Sequence, residues 1–151
     1  MNVYLDNAST SFPKPKTVSD SIYNYLTNIG GNPGRANHSN ALESNRYLFL
    51  ARETIANFFN FHKIENVIFT NNITSSLNTL INGILKPGDH VITSSMEHNS
   101  VIRPLYNLKE TIGIDLEIVS AKSNGIIDVD LIAKAIRNNT KLIILTHASN
   151  I

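Results

Sequence analysis

From His90 to Ser120 the chain reads HVITSSMEHNSVIRPLYNLKETIGIDLEIVS. Two short runs rich in β-branched residues, His90 to Ser95 and Asp115 to Ser120, read as strands, and the stretch between them, from about Ser100 to Thr111, reads as a helix. The same rhythm extends both ways. Upstream, VIFT (Val67 to Thr70) reads as a strand and is followed by a helix from about Thr74 to Leu85 that stops at Lys86-Pro87-Gly88. Downstream, a helix from about Asp128 to Arg137 leads into LIILTHA (Leu142 to Ala148). Strands alternating with helices of this length predict an α/β fold, a mostly parallel sheet with flanking helices. LIIL is apolar throughout, so this strand is expected to be buried on both faces. The chain stops about six residues later without a helix to cover it, which predicts an N-terminal piece of a longer protein, cut near the sheet edge where open α/β sheets place ligands.

Before the sheet the pattern differs. Val18, Ile22, Tyr25, Leu26 and Ile29 recur at helical spacing from Thr17 to Ile29, and Gly30 and Gly31 then stop the helix. GGNPGRANHSN, Gly30 to Asn40, has three glycines and a proline and no apolar period, so it is a loop, and a loop of that length inside a compact chain more often serves function. Helical spacing resumes from Ala41 to Phe61.

Composition narrows the function classes. The 151 residues include 13 basic and 12 acidic side chains, a formal charge of +1, which argues against nucleic-acid and acidic-membrane partners. With 42% apolar and 17% charged residues there is enough material for a core. No apolar run is long enough for a membrane helix and MNVYLDNAST lacks the features of a signal peptide, so the expected setting is cytoplasmic. The absence of cysteine excludes disulfides, zinc-thiolate sites and a cysteine nucleophile within these residues. The acidic residues show no paired spacing that suggests a metal site or a glycosidase.

The polar groups worth weighing fall at strand exits. In FTNNITSSLN (Phe69 to Asn78) a strand is expected to give way to a helix through small and hydroxyl residues. The free amides and positive dipole end there suit an anion, with Thr74, Ser75 and Ser76 as hydroxyl donors; read alone, the same residues equally suit a simple helix cap. EHNS (Glu97 to Ser100) places His98 after the next strand, where an imidazole can stack on a flat ring or move protons, or stand as an ordinary polar surface residue. Asn150 lies past a third strand. Together the three suggest a phosphate-bearing ligand lying across the sheet edge. Arg35 and His38 in the glycine-rich loop suit a carboxylate or phosphate, or solvent. His62 and His90 flank element ends without polar company and read as structural.

In order, YLDNASTSFPKP, GNPGRANHSNA, FTNNITSSLN, SMEHNSVIRPL and LTHASN resemble the start of the class V aminotransferase family of pyridoxal-5′-phosphate enzymes, in particular its cysteine desulfurase and selenocysteine lyase branch. The resemblance implies the N-terminal part of a fold type I large domain: residues 1–40 as an arm, helix and glycine-rich active-site loop, and residues 41–151 as an incomplete cofactor-binding domain. It implies that Ile73 and Thr74 hold the cofactor phosphate, that His98 stacks on the ring and assists proton transfer, and that Asn150 bonds the phenolic oxygen. Asn7, Ala8, Ser9, Arg35 and His38 would line the substrate side. The implied substrate is cysteine or selenocysteine, the implied partners are a second copy and a sulfur-acceptor protein, and sibling activities are transaminase and epimerase. Where the family commonly has Gly-Thr-Thr this chain has Asn72-Ile73-Thr74; Asn72 is expected at a left-handed position and Ile73 removes a hydroxyl. The family's cofactor-bearing lysine, ring-pairing aspartate and sulfur-accepting cysteine have no counterpart among these residues, so the chain alone is expected to be inactive. A non-catalytic remnant or interaction module stays open as an alternative.

Overall fold

The computed structural model describes residues 3–34 and 37–148. They form two compact units that divide between Phe69 and Thr70. These units are defined by packing, whereas the division expected after residue 40 is one of role, an arm and loop against a sheet-bearing domain.

The first unit is helical. Helix α1, Lys16–Asn24, runs into a π-helical turn, Tyr25–Ile29, closed by Gly30 in the left-handed region at φ 51°. Helix α2, Ser39–Phe58, begins at His38, whose Nδ1 accepts the Ala41 amide at 3.3 Å. The loop between them is tied at its base. Tyr25 donates its hydroxyl to Gly31 O (3.1 Å) and pairs with Ser44 Oγ (3.0 Å), and Asn40 Nδ2 donates to Ile29 O (2.7 Å). Gly31 is required there by close approach: a Cβ on it would stand 2.4 Å from Asn40 O and 2.7 Å from Ala41 N. Backbone atoms cannot swing aside as a flexible side chain can. Gly31→Ala is therefore expected to cost about 3 kcal/mol, the upper end for overpacking, and to expose the loop to protease; a rate of cleavage within 30–40 equal to that of the unaltered protein would sink this account.

The second unit carries the sheet. Helix α3, Ile73–Ile84, precedes strand β1, His90–Ser94; helix α4, Asn99–Ile112, leads to β2, Asp115–Val119; and helix α5, Val129–Ala135, leads to β3, Thr140–Ile144. The strands are parallel in the order β2-β1-β3, with His90 opposite Asp115 and Val91 opposite Leu142. The chain moves outward from β1 to β2 and then back across β1 to β3, so right-handed crossovers put α4 and α5 on opposite faces. That is what packing shows. Val91 meets Ile81, Leu85, Val101, Leu105 and Leu108 on one face, while Ile92 meets Val119, Ile132 and Ala135 on the other. All five residues of β1 are buried, as a central parallel strand requires. Caps match the boundaries: Asn72, His98 and Asp128 each accept a backbone amide at the start of α3, α4 and α5, and Gly113 ends α4 at φ 74°. The Lys122 ammonium beside Asp128 and the amide it caps hold that carboxyl below its usual range.

Several expectations are corrected. Val67–Thr70 pairs with no strand among the described residues; it follows a 3₁₀ turn, Ile64–Asn66, as extended coil. Strand propensity is realised only where a neighbouring backbone completes the ladder. β3, by contrast, has the one uncovered face expected of LIIL with no helix after it: Leu142 and Ile144 pack on the α3/α4 side while Ile143 is 41% exposed and Leu145 45%. α5 covers β1 and β2 on that side and leaves β3 bare among the described residues. Asn72 is extended at φ −166° and not left-handed, because an N-cap needs that conformation to aim its side chain at the Ser75 amide.

His90 also has the polar company the sequence did not reveal. It is fully buried, with Nδ1 2.8 Å from Thr140 Oγ1 and Nε2 3.2 Å from Glu117 Oε2. Thr140 Oγ1 accepts the Arg137 amide at 2.7 Å, which turns its proton toward His90 Nδ1 and leaves the Nε2 proton for Glu117. Arg137 in turn bridges Glu117 and Asp115. This network closes the N-terminal ends of the three strands, opposite the edge that carries the candidate site.

Candidate functional site

The site is built at the start of α3 and α4. Asn72 Oδ1 accepts the Ser75 amide at 2.8 Å, and Asn72 O accepts the Ser76 amide at 3.2 Å. The amides of Ile73 and Thr74 come before these and have no acceptor among the described residues. A twelve-residue helix concentrates partial positive charge at that end. Of the nearby hydroxyls, Ser76 Oγ is engaged with Thr70 Oγ1 at 2.6 Å, while Thr74 makes no side-chain hydrogen bond within the described residues. Ser75 Oγ likewise makes no hydrogen bond among the described residues, so two free amides and two free hydroxyls remain for an anion.

His98 caps α4. Its Nδ1 lies 3.1 Å from the Ser100 amide and 2.9 Å from Ser100 Oγ. A backbone amide only donates, so Nδ1 accepts and the ring proton sits on Nε2. Thr74 and His98 line one open groove of about 510 Å³ between α3 and α4, together with Asn78, Asn82, Arg103 and Asn107. The two groups expected to share a ligand are therefore brought together. Asn78 and Asn82 spend their Nδ2 groups on Thr74 O and Asn78 O, within their own helix.

The candidates in the first unit hold local positions. Asn7 Oδ1 accepts the Phe12 amide at 3.2 Å, Ser9 closes a turn by donating its amide to Asp6 O at 3.1 Å, and Ala8 lies in the same turn. His38 is the α2 cap. Arg35 and Asn150 lie outside the described residues.

Sequence reading passed over Glu97. Its Oε1 accepts Ser94 Oγ at 2.5 Å and the Thr146 amide at 2.9 Å, and its Oε2 accepts Thr146 Oγ1 at 2.6 Å. The only signal in the sequence is an acidic residue between a strand end and a helix cap; nothing in spacing links it to a threonine 49 positions on. No group of three or more His, Cys, Asp or Glu placed to hold a metal occurs among the described residues, and no described helix is long and apolar enough to cross a membrane.

A parallel α/β unit with an anion-ready helix start and a histidine on one groove is the arrangement that two of the five motifs, FTNNITSSLN and SMEHNSVIRPL, form. The aminotransferase class-V family model matches residues 3–151, and the chain belongs to that family. Among curated relatives, a probable cysteine desulfurase of Methanothermobacter thermautotrophicus is 35% identical over 99% of this chain. Among solved structures, the apo cysteine desulfurase of Thermococcus onnurineus NA1 superposes with a TM-score of 0.85 at 30% identity over 98% of the chain, and SspA in complex with cysteine with 0.81 at 32% over 99%. The chain spans 37% of the first two proteins and 43% of the third. The α/β fold, with its mostly parallel sheet and flanking helices, is thus the one found in that part of fold type I cysteine desulfurases.

Proposed function

We propose that this chain forms the phosphate-and-ring side of the active site of a cytoplasmic, dimeric, pyridoxal-5′-phosphate-dependent cysteine desulfurase that releases alanine from cysteine and passes the sulfur on. The observation that carries the reading is the pairing, on one groove, of Thr74 with His98 held in a single tautomer, at a helix start where the Ile73 and Thr74 amides are unsatisfied. The residues present fit the group. A phosphate dianion needs donors and no nearby carboxylate, and the α3 start offers two amides and the Thr74 hydroxyl with no acidic residue in its first turn. When bound, pyridoxal phosphate supplies an electron sink for an amino acid's α-carbon.

This chain's part is to place and tune. Ile73 and Thr74 would anchor the phosphate, and the loss of a hydroxyl at Ile73 leaves that position to its amide alone. His98 would offer a flat ring for stacking and an Nε2–H that donates at the groove. Asn150 would meet the phenolic oxygen, and Asn7, Ala8, Ser9, Arg35 and His38 the substrate side, as the family resemblance implies. Similarity to a structure that holds cysteine supports cysteine as the substrate, and the desulfurase names of the other relatives agree with it.

The complete polypeptide that bears these residues is expected to bind pyridoxal phosphate and to form alanine from cysteine, with the sulfur left as a persulfide that an added dithiol reduces to sulfide. The 151-residue chain, reduced with borohydride in the presence of the cofactor, is expected to gain no stoichiometric label on any of its eight lysines. Amino transfer without sulfide from the complete polypeptide would replace the desulfurase reading by a transaminase one; a single labelled lysine in the short chain would show that it carries its own covalent anchor.

A further inference from the structure

The parallel ladder between β1 and β3 ends with Thr93 opposite Ile144. Thr93 Oγ1 donates to Ile144 O at 3.0 Å, and beyond that point the two strand ends have no backbone pairing. Strand ends at this edge of a parallel sheet diverge, which is why ligands fit there. Here a side chain takes over where the ladder stops. Glu97 accepts the Thr146 amide and hydroxyl with its two oxygens, and accepts Ser94 Oγ as well. Ser94 is 2% exposed, and its Oγ accepts the Met96 amide at 3.2 Å, so its own proton is directed to Glu97. The carboxylate is thus gripped by three donors, one on its own turn and two on the segment leaving β3. The residue that follows it is His98.

We infer that Glu97 is a positioning residue: it latches the β1 exit turn to the β3 exit, fixing the backbone that presents His98 to the groove. The inference rests on the function proposed above, because it gives Glu97 a role in holding the cofactor-side histidine. Charge-assisted hydrogen bonds of this kind are the stronger ones, and losing them leaves donors facing each other across the site edge.

The test uses the complete polypeptide, with pyridoxal phosphate affinity read by absorbance titration, kcat and KM for cysteine, and thermal unfolding of the cofactor-free form. Glu97→Ala is expected to weaken cofactor binding about tenfold or more and to lower kcat. Glu97→Gln is expected to restore affinity to within about threefold. Its carbonyl can take the Ser94 hydroxyl and the Thr146 amide, and its NH₂ can donate to Thr146 Oγ1 once that hydroxyl rotates to accept. Thr146→Val removes one bond only and serves if Glu97→Ala fails to fold; its affinity should fall about threefold, and it should add nothing further to Glu97→Ala. Unchanged affinity in Glu97→Ala, or a Gln variant as weak as the Ala variant, overturns the inference. Failure of the unaltered polypeptide to bind the cofactor would instead overturn the proposed function, so the two are told apart by which protein fails.

Discussion

Leu105→Ala lowers the stability of the sheet-bearing unit by about 3–4 kcal/mol, within the range for deleting a buried leucine side chain. Leu105 is fully buried on α4, in a cluster with Ile81 and Leu85 of the α3 region, Val91 of β1 and Ile114 before β2. These neighbours come from three different parts of the unit, so none can collapse into the vacancy without dragging a helix or strand with it. The comparison that gives the number meaning is Ile143→Ala. Ile143 is 41% exposed on the uncovered side of β3, and its truncation is expected to cost under about 1 kcal/mol. Chemical denaturation followed by circular dichroism checks both. A loss under about 1 kcal/mol for Leu105→Ala would mean the α3/α4 layer is not packed as described. A loss for Ile143→Ala as large as that for Leu105→Ala, measured in the complete polypeptide, would show that further chain covers β3.

That contrast marks where sequence reading succeeds and where it stops. Helices α1 to α5 were legible because apolar spacing and local stop signals are written within the segments, as with Gly30 after Ile29 and Lys86-Pro87-Gly88 after α3. Three of the strands were legible for the same reason. VIFT failed because a strand is a property of two backbones, and its second backbone is not in the sequence of those four residues. LIIL states by its composition that it can be buried on both faces, and its far side is uncovered here, as expected where no helix follows it. The site divides along the same line. Ile73, Thr74 and His98 sit at element starts, which local reading finds; Glu97–Thr146 and His90–Glu117–Arg137 join residues tens of positions apart, which it does not.

In the proposed site, helix capping and chemistry coincide at His98, and this is a constraint on how the site can vary. Asparagine, aspartate and serine are the common caps, whereas here an imidazole does the capping with Nδ1. Using Nδ1 for the helix commits the remaining proton to Nε2, so folding of α4 sets the tautomer that faces the groove. The Glu97 latch, one residue earlier, restrains the same backbone. The tautomer of the histidine and its position are thus both set by the local fold.

His98→Asn separates the two duties. Asparagine is among the best N-caps, and its Oδ1 can accept the Ser100 amide as Nδ1 does, so the melting temperature should change little. It has no flat aromatic ring and no group that transfers protons near neutral pH. Turnover of cysteine by the complete polypeptide is therefore expected to fall about 10²–10⁴-fold, the usual contribution of a positioned acid–base group. His98→Ala should show the same loss of turnover and, in addition, lose about 1 kcal/mol of stability with the cap. His98→Gln tests ring against reach, and should resemble the asparagine variant in turnover. Steady-state kinetics with thermal unfolding of each variant decides the matter. Turnover in His98→Asn within about threefold of the unaltered enzyme would show that no proton transfer depends on this residue, leaving it a helix cap and the groove without its acid–base group.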